Sequence, residues 1–177
     1  MIRELLHRIS QILGENGIPY MLSGSVALGL YTVARTTRDI DIVIELKESD
    51  VDKFVAGFDG FFVDEVGIAD EVKRGGMFNL IDKKTAFKID FIIRSDSEYG
   101  NEEFSRRKKM TLDGVELWVV SLEDLIIAKV RWIQDFQSDR QINDIKSLLL
   151  NPMIDWEYVD KWTRKLQLKT FNLFNDE

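Results

Sequence analysis

The chain has 177 residues, no cysteine, a single histidine and a formal net charge of −7. That length suits one domain, able to bury roughly 70% of the surface its unfolded form exposes. Lack of cysteine excludes disulfides, thiolate zinc sites and cysteine nucleophiles, one histidine argues against His-based catalysis, and the acidic balance argues against broad binding to nucleic-acid backbone.

Ile2, Leu5, Leu6, Ile9, Ile12 and Leu13 recur at helical spacing and predict a first helix over 2–13, with His7 opposite the apolar stripe and free of any chemical role. Gly14 and Gly17 end it, and 18–22 reads as a strand. Ser23-Gly24 makes a turn into a short helix over 25–31, and 39–46 reads as a second strand. A helix is predicted from about 49 to 58, then a short strand at 61–63. After Gly75-Gly76, strands are predicted at 77–81 and 86–93. Asp113-Gly114 is a favoured hairpin pair leading into a strand at 115–120. Ser121, with Asp124 three residues on, opens a helix running to about 136, and two more helices follow at 138–150 and 155–168. On the last of these Trp156, Val159, Trp162 and Leu166 form an apolar stripe, a pattern more typical of core than of interface.

The order predicts an α/β (α+β) fold: a mixed β-sheet core over residues 1–120, and a C-terminal helical segment over 121–177 packed on it as one unit. No apolar run approaches the ~20 residues of a membrane span and the N-terminus lacks a signal-peptide pattern, so the expected location is cytoplasmic, away from any membrane. Arg106-Arg107-Lys108-Lys109 is either a solvated edge whose cations discourage aggregation, or a docking site for an acidic or polynucleotide acceptor.

The chemistry concentrates in three places. Side chains alternate along a strand, so Asp39 and Asp41 share one face while Ile40, Ile42 and Ile44 share the other. Two neighbouring anions repel, and a divalent cation between them relieves that cost. The strand at 86–93 repeats the pattern, with Phe87, Ile89, Phe91 and Ile93 on one face and Lys88 and Asp90 on the other. If it neighbours the Asp39–Asp41 strand, three carboxylates and a lysine converge. Gly24-Ser25 supplies the opposite half: a helix N-terminus that attracts phosphate, a glycine that permits close approach, and a hydroxyl donor. Lys129 falls within an apolar stripe made by Leu122, Leu125, Ile126, Trp132 and Ile133, so its ammonium either reaches water past the core or meets carboxylates or a phosphate. The acidic cluster favours the second. Each piece alone is also what a polar sheet face or a solvated loop looks like; their order and element types raise them above that.

Together these residues resemble the DNA polymerase β-like nucleotidyltransferase superfamily, whose signature is Gly-Ser, a spacer, Asp-hydrophobic-Asp and a third Asp on a later strand. Arg35-Thr36-Thr37-Arg38-Asp39-Ile40-Asp41 is similar to the bacterial branch that includes AbiEii-type toxins, as are Lys88-Ile89-Asp90-Phe91 and the stretch from Glu123 to Lys129. In that branch's fourth motif, Asp144 matches the second of two aspartates three apart, but Gln141 stands at the first. The resemblance implies an Mg²⁺-dependent (or Mn²⁺-dependent) transferase that moves a nucleoside monophosphate from a nucleoside triphosphate such as ATP to a hydroxyl and releases pyrophosphate. Asp39, Asp41 and Asp90 would be catalytic and metal-binding. Gly24, Ser25, Arg35, Thr37, Arg38, Lys88, Lys129 and Asp144 would contact the nucleotide. The acceptor (tRNA, protein or small molecule) is left open. The alternatives are a non-catalytic nucleotide-binding regulatory module, or the toxin of a toxin–antitoxin pair with an antitoxin protein as partner.

Overall fold

A computed structural model describes residues 2–34 and 36–174. The chain opens with helix α1 (Ile2–Glu15), which lays Leu5, Leu6, Ile9 and Leu13 on the core and leaves His7 exposed, as its spacing predicts. Strand β1 (Tyr20–Ser23) runs through a left-handed Gly24 directly into α2 (Gly24–Tyr31), and the chain returns as β2 (Asp39–Ile44). A 3-10 turn at Glu48–Asp50 leads into α3 (Val51–Gly57), followed by β3 (Phe61–Phe62), α4 (Glu65–Arg74), β4 (Met77–Asp82) and β5 (Lys88–Ile93). Then come α5 (Glu98–Ser105), the β6 (Lys108–Leu112) and β7 (Val115–Val119) hairpin, and the helices α6 (Leu122–Trp132), α7 (Asp139–Leu149) and α8 (Trp156–Lys165).

The strands form one seven-stranded mixed sheet in the order β3-β4-β5-β2-β1-β7-β6. β2 lies at its centre, antiparallel to β1 and parallel to β5. Ile40, Ile42 and Ile44 of β2 are fully buried, so the alternation read in the sequence is the alternation of the sheet. Beneath β4 and β5, Phe54, Phe58, Phe78 and Phe91 pack ring against ring at centroid separations of 4.6–5.5 Å. The main core cluster extends from Leu5 to Val159, with the C-terminal helices among its contributors, and a smaller one joins Tyr99, Ile127, Tyr158 and Trp162.

Two helices fall on stretches that periodicity leaves unassigned. α4 is capped by Asp64, which accepts the Gly67 N–H at 3.1 Å, and ends on a left-handed Gly75. α5 is capped by Ser97, which accepts from Gly100 at 3.0 Å. The basic run divides. Lys108 and Lys109 are exposed on β6, an edge strand, as the solvated-edge reading requires. Arg106 and Arg107 correct that reading: Arg106 pairs with Glu123 at 3.0 Å and Asp124 at 3.2 Å, and Arg107 lies over Phe104 and Trp118. Trp132 is also corrected. It stands at the end of α6 with 69% of its surface exposed, outside the stripe built by Leu122, Leu125, Ile126 and Ile133. Trp156 likewise leaves its predicted stripe half exposed, while Val159 and Trp162 are buried. Among the described residues, no helix is long and apolar enough to cross a membrane.

Candidate active site

The parallel pairing of β2 with β5 sets Asp39 opposite Lys88 and Asp41 opposite Asp90. Because pleat and register coincide, all four side chains belong to one face, the face opposite the buried isoleucines. Asp39 is exposed at the start of its strand, Asp41 is half-buried, and Asp90 is 7% exposed. Lys88 reaches forward along its own strand to Asp90, Nζ to Oδ2 at 2.8 Å. The other oxygen, Asp90 Oδ1, is buried with no hydrogen-bond donor in reach among the described residues. A buried carboxylate oxygen in that condition is an acceptor left open.

Facing the pair is the β1–α2 turn. Gly24 has φ +61°, a conformation glycine adopts at no steric cost. A Cβ at this position would stand 2.5 Å from the Asp41 carboxyl carbon, so glycine is required twice over. The Ser25 backbone N–H donates to Asp41, and Ser23 makes no side-chain cap of the helix. Asp41 therefore serves as the anion at the α2 N-terminus. Burial pushes the Asp41 pKa up, and repulsion from Asp90 adds to the rise; the Ser25 N–H and the Lys129 ammonium pull it back. The hydrogen bond to Asp90 holds the Lys88 ammonium above the usual lysine range, against partial burial, and the charges of Asp90, Asp39 and Asp41 reinforce it.

Lys129 does not run out to water. Its side chain is 13% exposed and its Nζ meets Asp144 Oδ2 at 2.9 Å, so α6 and α7 are clamped beside the carboxylates. Gln141, one turn earlier on α7, sets its side-chain amide against the Trp132 indole N–H and the Phe136 carbonyl, and the orientation with oxygen toward the indole and nitrogen toward the carbonyl satisfies both. Thr37 hydrogen-bonds the Asp39 backbone through its hydroxyl at 3.2–3.3 Å, fixing the entry to β2. Arg38 is exposed, and its carbonyl accepts the Lys88 N–H at 3.3 Å. Arg35 lies outside the described residues.

A polar cluster behind the site escaped the sequence reading. Asp124 is fully buried and accepts from Ser121 at 2.6 Å, Tyr158 at 2.8 Å and Tyr99 at 3.1 Å, beside its pairing with Arg106. The cluster ties α5, α6 and α8 together. Its signal in the sequence is Asp124 at the third position after Ser121, which reads only as a cap. Among the described residues, no three acidic or histidine side chains stand together as a ready-made ion cage.

The sequence profile of a family described as nucleotidyltransferase of unknown function (DUF6036) matches residues 1–175. No curated protein sequence matches the chain significantly. Among solved structures, the antibiotic-resistance factor ANT(2'')-Ia is similar at a TM-score of 0.59 and 13% identity, over 93% of this chain and 90% of that one. The lincosamide antibiotic adenylyltransferase LnuA, solved with lincomycin bound, is similar at 0.53 and 14%, over 79% and 91%. An antigenic nucleotidyltransferase-like protein from Paracoccidioides brasiliensis is similar at 0.56 and 16%, over 92% and 87%. At these identities the likeness is one of fold. The AbiEii-type branch is not shown by the profile or by these three structures. Matched along nearly its whole length, the chain belongs to the DUF6036 family of nucleotidyltransferases.

Proposed function

We propose that the protein transfers a nucleoside monophosphate from a nucleoside triphosphate to an acceptor hydroxyl, with release of pyrophosphate. The observation that carries this reading is the in-register pair Asp41–Asp90 on parallel strands, facing the Gly24 turn. The triphosphate lies against the α2 N-terminus, where Gly24 leaves room for its oxygens and the helix dipole favours their charge. Lys129 neutralises phosphate charge from the α6 side, Arg38 and Lys88 add cations at the rim, and Arg35 is a further cation for the triphosphate. Asp90 takes the proton of the acceptor hydroxyl, whose oxygen forms a bond to the α-phosphorus. The bond from that phosphorus to the bridging oxygen breaks, and pyrophosphate leaves with the electron pair. Positioning and charge do most of the work in such a displacement.

The donor set suits Mg²⁺ or Mn²⁺: hard carboxylate oxygens, one of them, Asp90 Oδ1, buried without a donor. Asp39, Asp41 and Asp90 would hold the ion. Mg²⁺ is ordinarily held by one or two carboxylates and the substrate's phosphates, so a closed protein cage is not needed beforehand. Bound there, the ion would offset the charge developing on the reacting oxygens. One of the similar structures is by name a lincosamide antibiotic adenylyltransferase and another an antibiotic-resistance factor, which supports a small-molecule hydroxyl as the acceptor class.

The test is transfer of label from each α-labelled nucleoside triphosphate to a panel of hydroxyl acceptors in Mg²⁺, beside Asp41→Asn and Asp90→Asn. Transfer by the native protein and its loss in both variants is the expected result. Nucleotide that binds tightly by calorimetry yet never yields product under any condition would replace this reading with that of a non-catalytic nucleotide-binding module.

A further inference from the structure

α2 and α6 pack against each other, and contacts at both ends fix their relative direction. The Tyr31 hydroxyl, at the end of α2, donates to the Val120 carbonyl at 2.7 Å and lies in the field of Glu123 and Asp124, at the start of α6. At the other end, Lys129 acts on Asp41, which accepts the Ser25 N–H at the start of α2. The two helices are therefore antiparallel. Trp132 lies one turn past Lys129, about 4.5 Å further along the axis, in the direction that leads out over the Gly24 turn.

Trp132 is 69% exposed, and Phe136, four residues on, is 72% exposed. A large apolar side chain left in solvent is commonly mobile, but this indole N–H abuts the Gln141 side-chain amide, which satisfies it and the Phe136 carbonyl together when its oxygen faces the indole and its nitrogen the carbonyl. That contact favours one orientation of the ring while its surface stays open. Gln141 and Asp144 sit on successive turns of α7 and engage Trp132 and Lys129, on successive turns of α6. The same two helices thus present a cation and, beyond it, an aromatic plane.

We infer that Trp132 is the platform on which the base of the nucleoside triphosphate stacks, a reading that rests on the triphosphate lying at Gly24-Ser25. The sheet order supports the base over the acceptor as occupant. Asp90, which receives the acceptor's proton, is on β5, beyond β2 from β1, whereas α6 follows β7 and packs on α2 at the opposite side. The acceptor arrives from the β5 side, and the Trp132 side is left to the nucleotide. Stacking on an open indole face tolerates any base, so the platform adds affinity without fixing base identity.

The test compares binding of the four nucleoside triphosphates and of inorganic triphosphate, each with Mg²⁺, to the native protein, Trp132→Ala and Trp132→Phe by calorimetry. Trp132 is exposed, so both variants should unfold at the native temperature. Trp132→Ala should weaken every nucleoside triphosphate about tenfold and leave inorganic triphosphate unchanged, and Trp132→Phe should retain most of the affinity. Nucleotide binding unaffected by Trp132→Ala, or weakened equally with inorganic triphosphate, overturns the platform while the phosphate site stands. Failure of the native protein to bind either ligand, or binding of both that survives Gly24→Ala, overturns the phosphate site and the platform with it.

Discussion

Removing the charge of Asp41 should make the protein more stable and inactive at once. Strands in a sheet stand about 4.8 Å apart, and two unit charges at that separation repel by about 3 kcal/mol at an effective dielectric constant near 20. Asp41 and Asp90 are register partners at this spacing. The Lys88 ammonium 2.8 Å from Asp90, together with Lys129 and the Ser25 N–H on the Asp41 side, offsets much of that repulsion. A net penalty on the order of 1 kcal/mol remains. Asp41→Asn removes the charge and keeps an oxygen to accept the Ser25 N–H. At pH 7 its Tm, followed by circular dichroism, should rise by about 2–4 °C for a chain of this size. The sign follows from linkage. The folded pKa of Asp41 is raised above its ordinary 3.8, so ionisation opposes folding at neutral pH. As pH falls through the folded pKa the penalty shrinks, and it is gone below the unfolded value. The gap between variant and native protein should therefore close on acidification to below pH 4. Mg²⁺ with a nucleoside triphosphate should raise the Tm of the native protein and leave the variant unmoved. A variant that melts lower at pH 7, or a gap that widens in acid, would refute the reasoning.

Gly24→Ala forces a Cβ into a left-handed residue and against the Asp41 carboxylate, so a loss of about 2–4 kcal/mol and of nucleotide binding is expected by chemical denaturation and calorimetry. Asp124→Ala strips the buried acceptor from Tyr99, Tyr158, Ser121 and Arg106; urea unfolding should show a loss of about 3–5 kcal/mol. Burial, with repulsion from Asp124, pushes Glu103 up to about 7 against the pull of Arg131. Its protonated form is the one the fold prefers, so native stability should fall as pH rises from about 4.5 to about 7 and level off above that. Glu103→Gln should flatten that slope by about 1 kcal/mol, since the group is only partly buried.

The features legible in the sequence are those set by local spacing. Asp39 and Asp41 were found by alternation, Asp90 by the apolar face of Ile89 and Phe91, and the Gly24 turn by its place between a strand and a helix. The neighbouring of β2 and β5 was only a condition of that reading, because nothing in either strand names its partner. α4 and α5 were not legible because each buries too few residues, Ile68 and Val72 in one and Tyr99, Gly100 and Phe104 in the other, to impose a period on a charged stretch. Arg106 looked solvated because its partner Asp124 is 18 residues away and Tyr158, whose ring it covers, is further still. Lys129 showed the opposite case. A lysine in an apolar stripe demands a partner wherever it comes from, and Asp144 meets that demand.

The carboxylate pair depends on the aromatic layer under it. Phe78 and Phe91 are register partners on β4 and β5, stacked at 5.5 Å with their planes 25° apart, and Phe54 meets both rings edge-on. Slipping β5 by one residue would carry Phe91 to the site face and Asp90 into this layer, burying a charge among phenylalanines. That cost fixes the register of β5 against β4. The antiparallel pairing of β2 with β1 fixes the other half, because Ser23 opposite Asp41 brings the Gly24 turn to the same carboxylate. Asp41 is therefore positioned from both sides, by a neighbouring strand whose slip would bury Asp90 and by a turn that only glycine can make. Arg38, exposed in the loop that enters β2, is held by neither of these constraints.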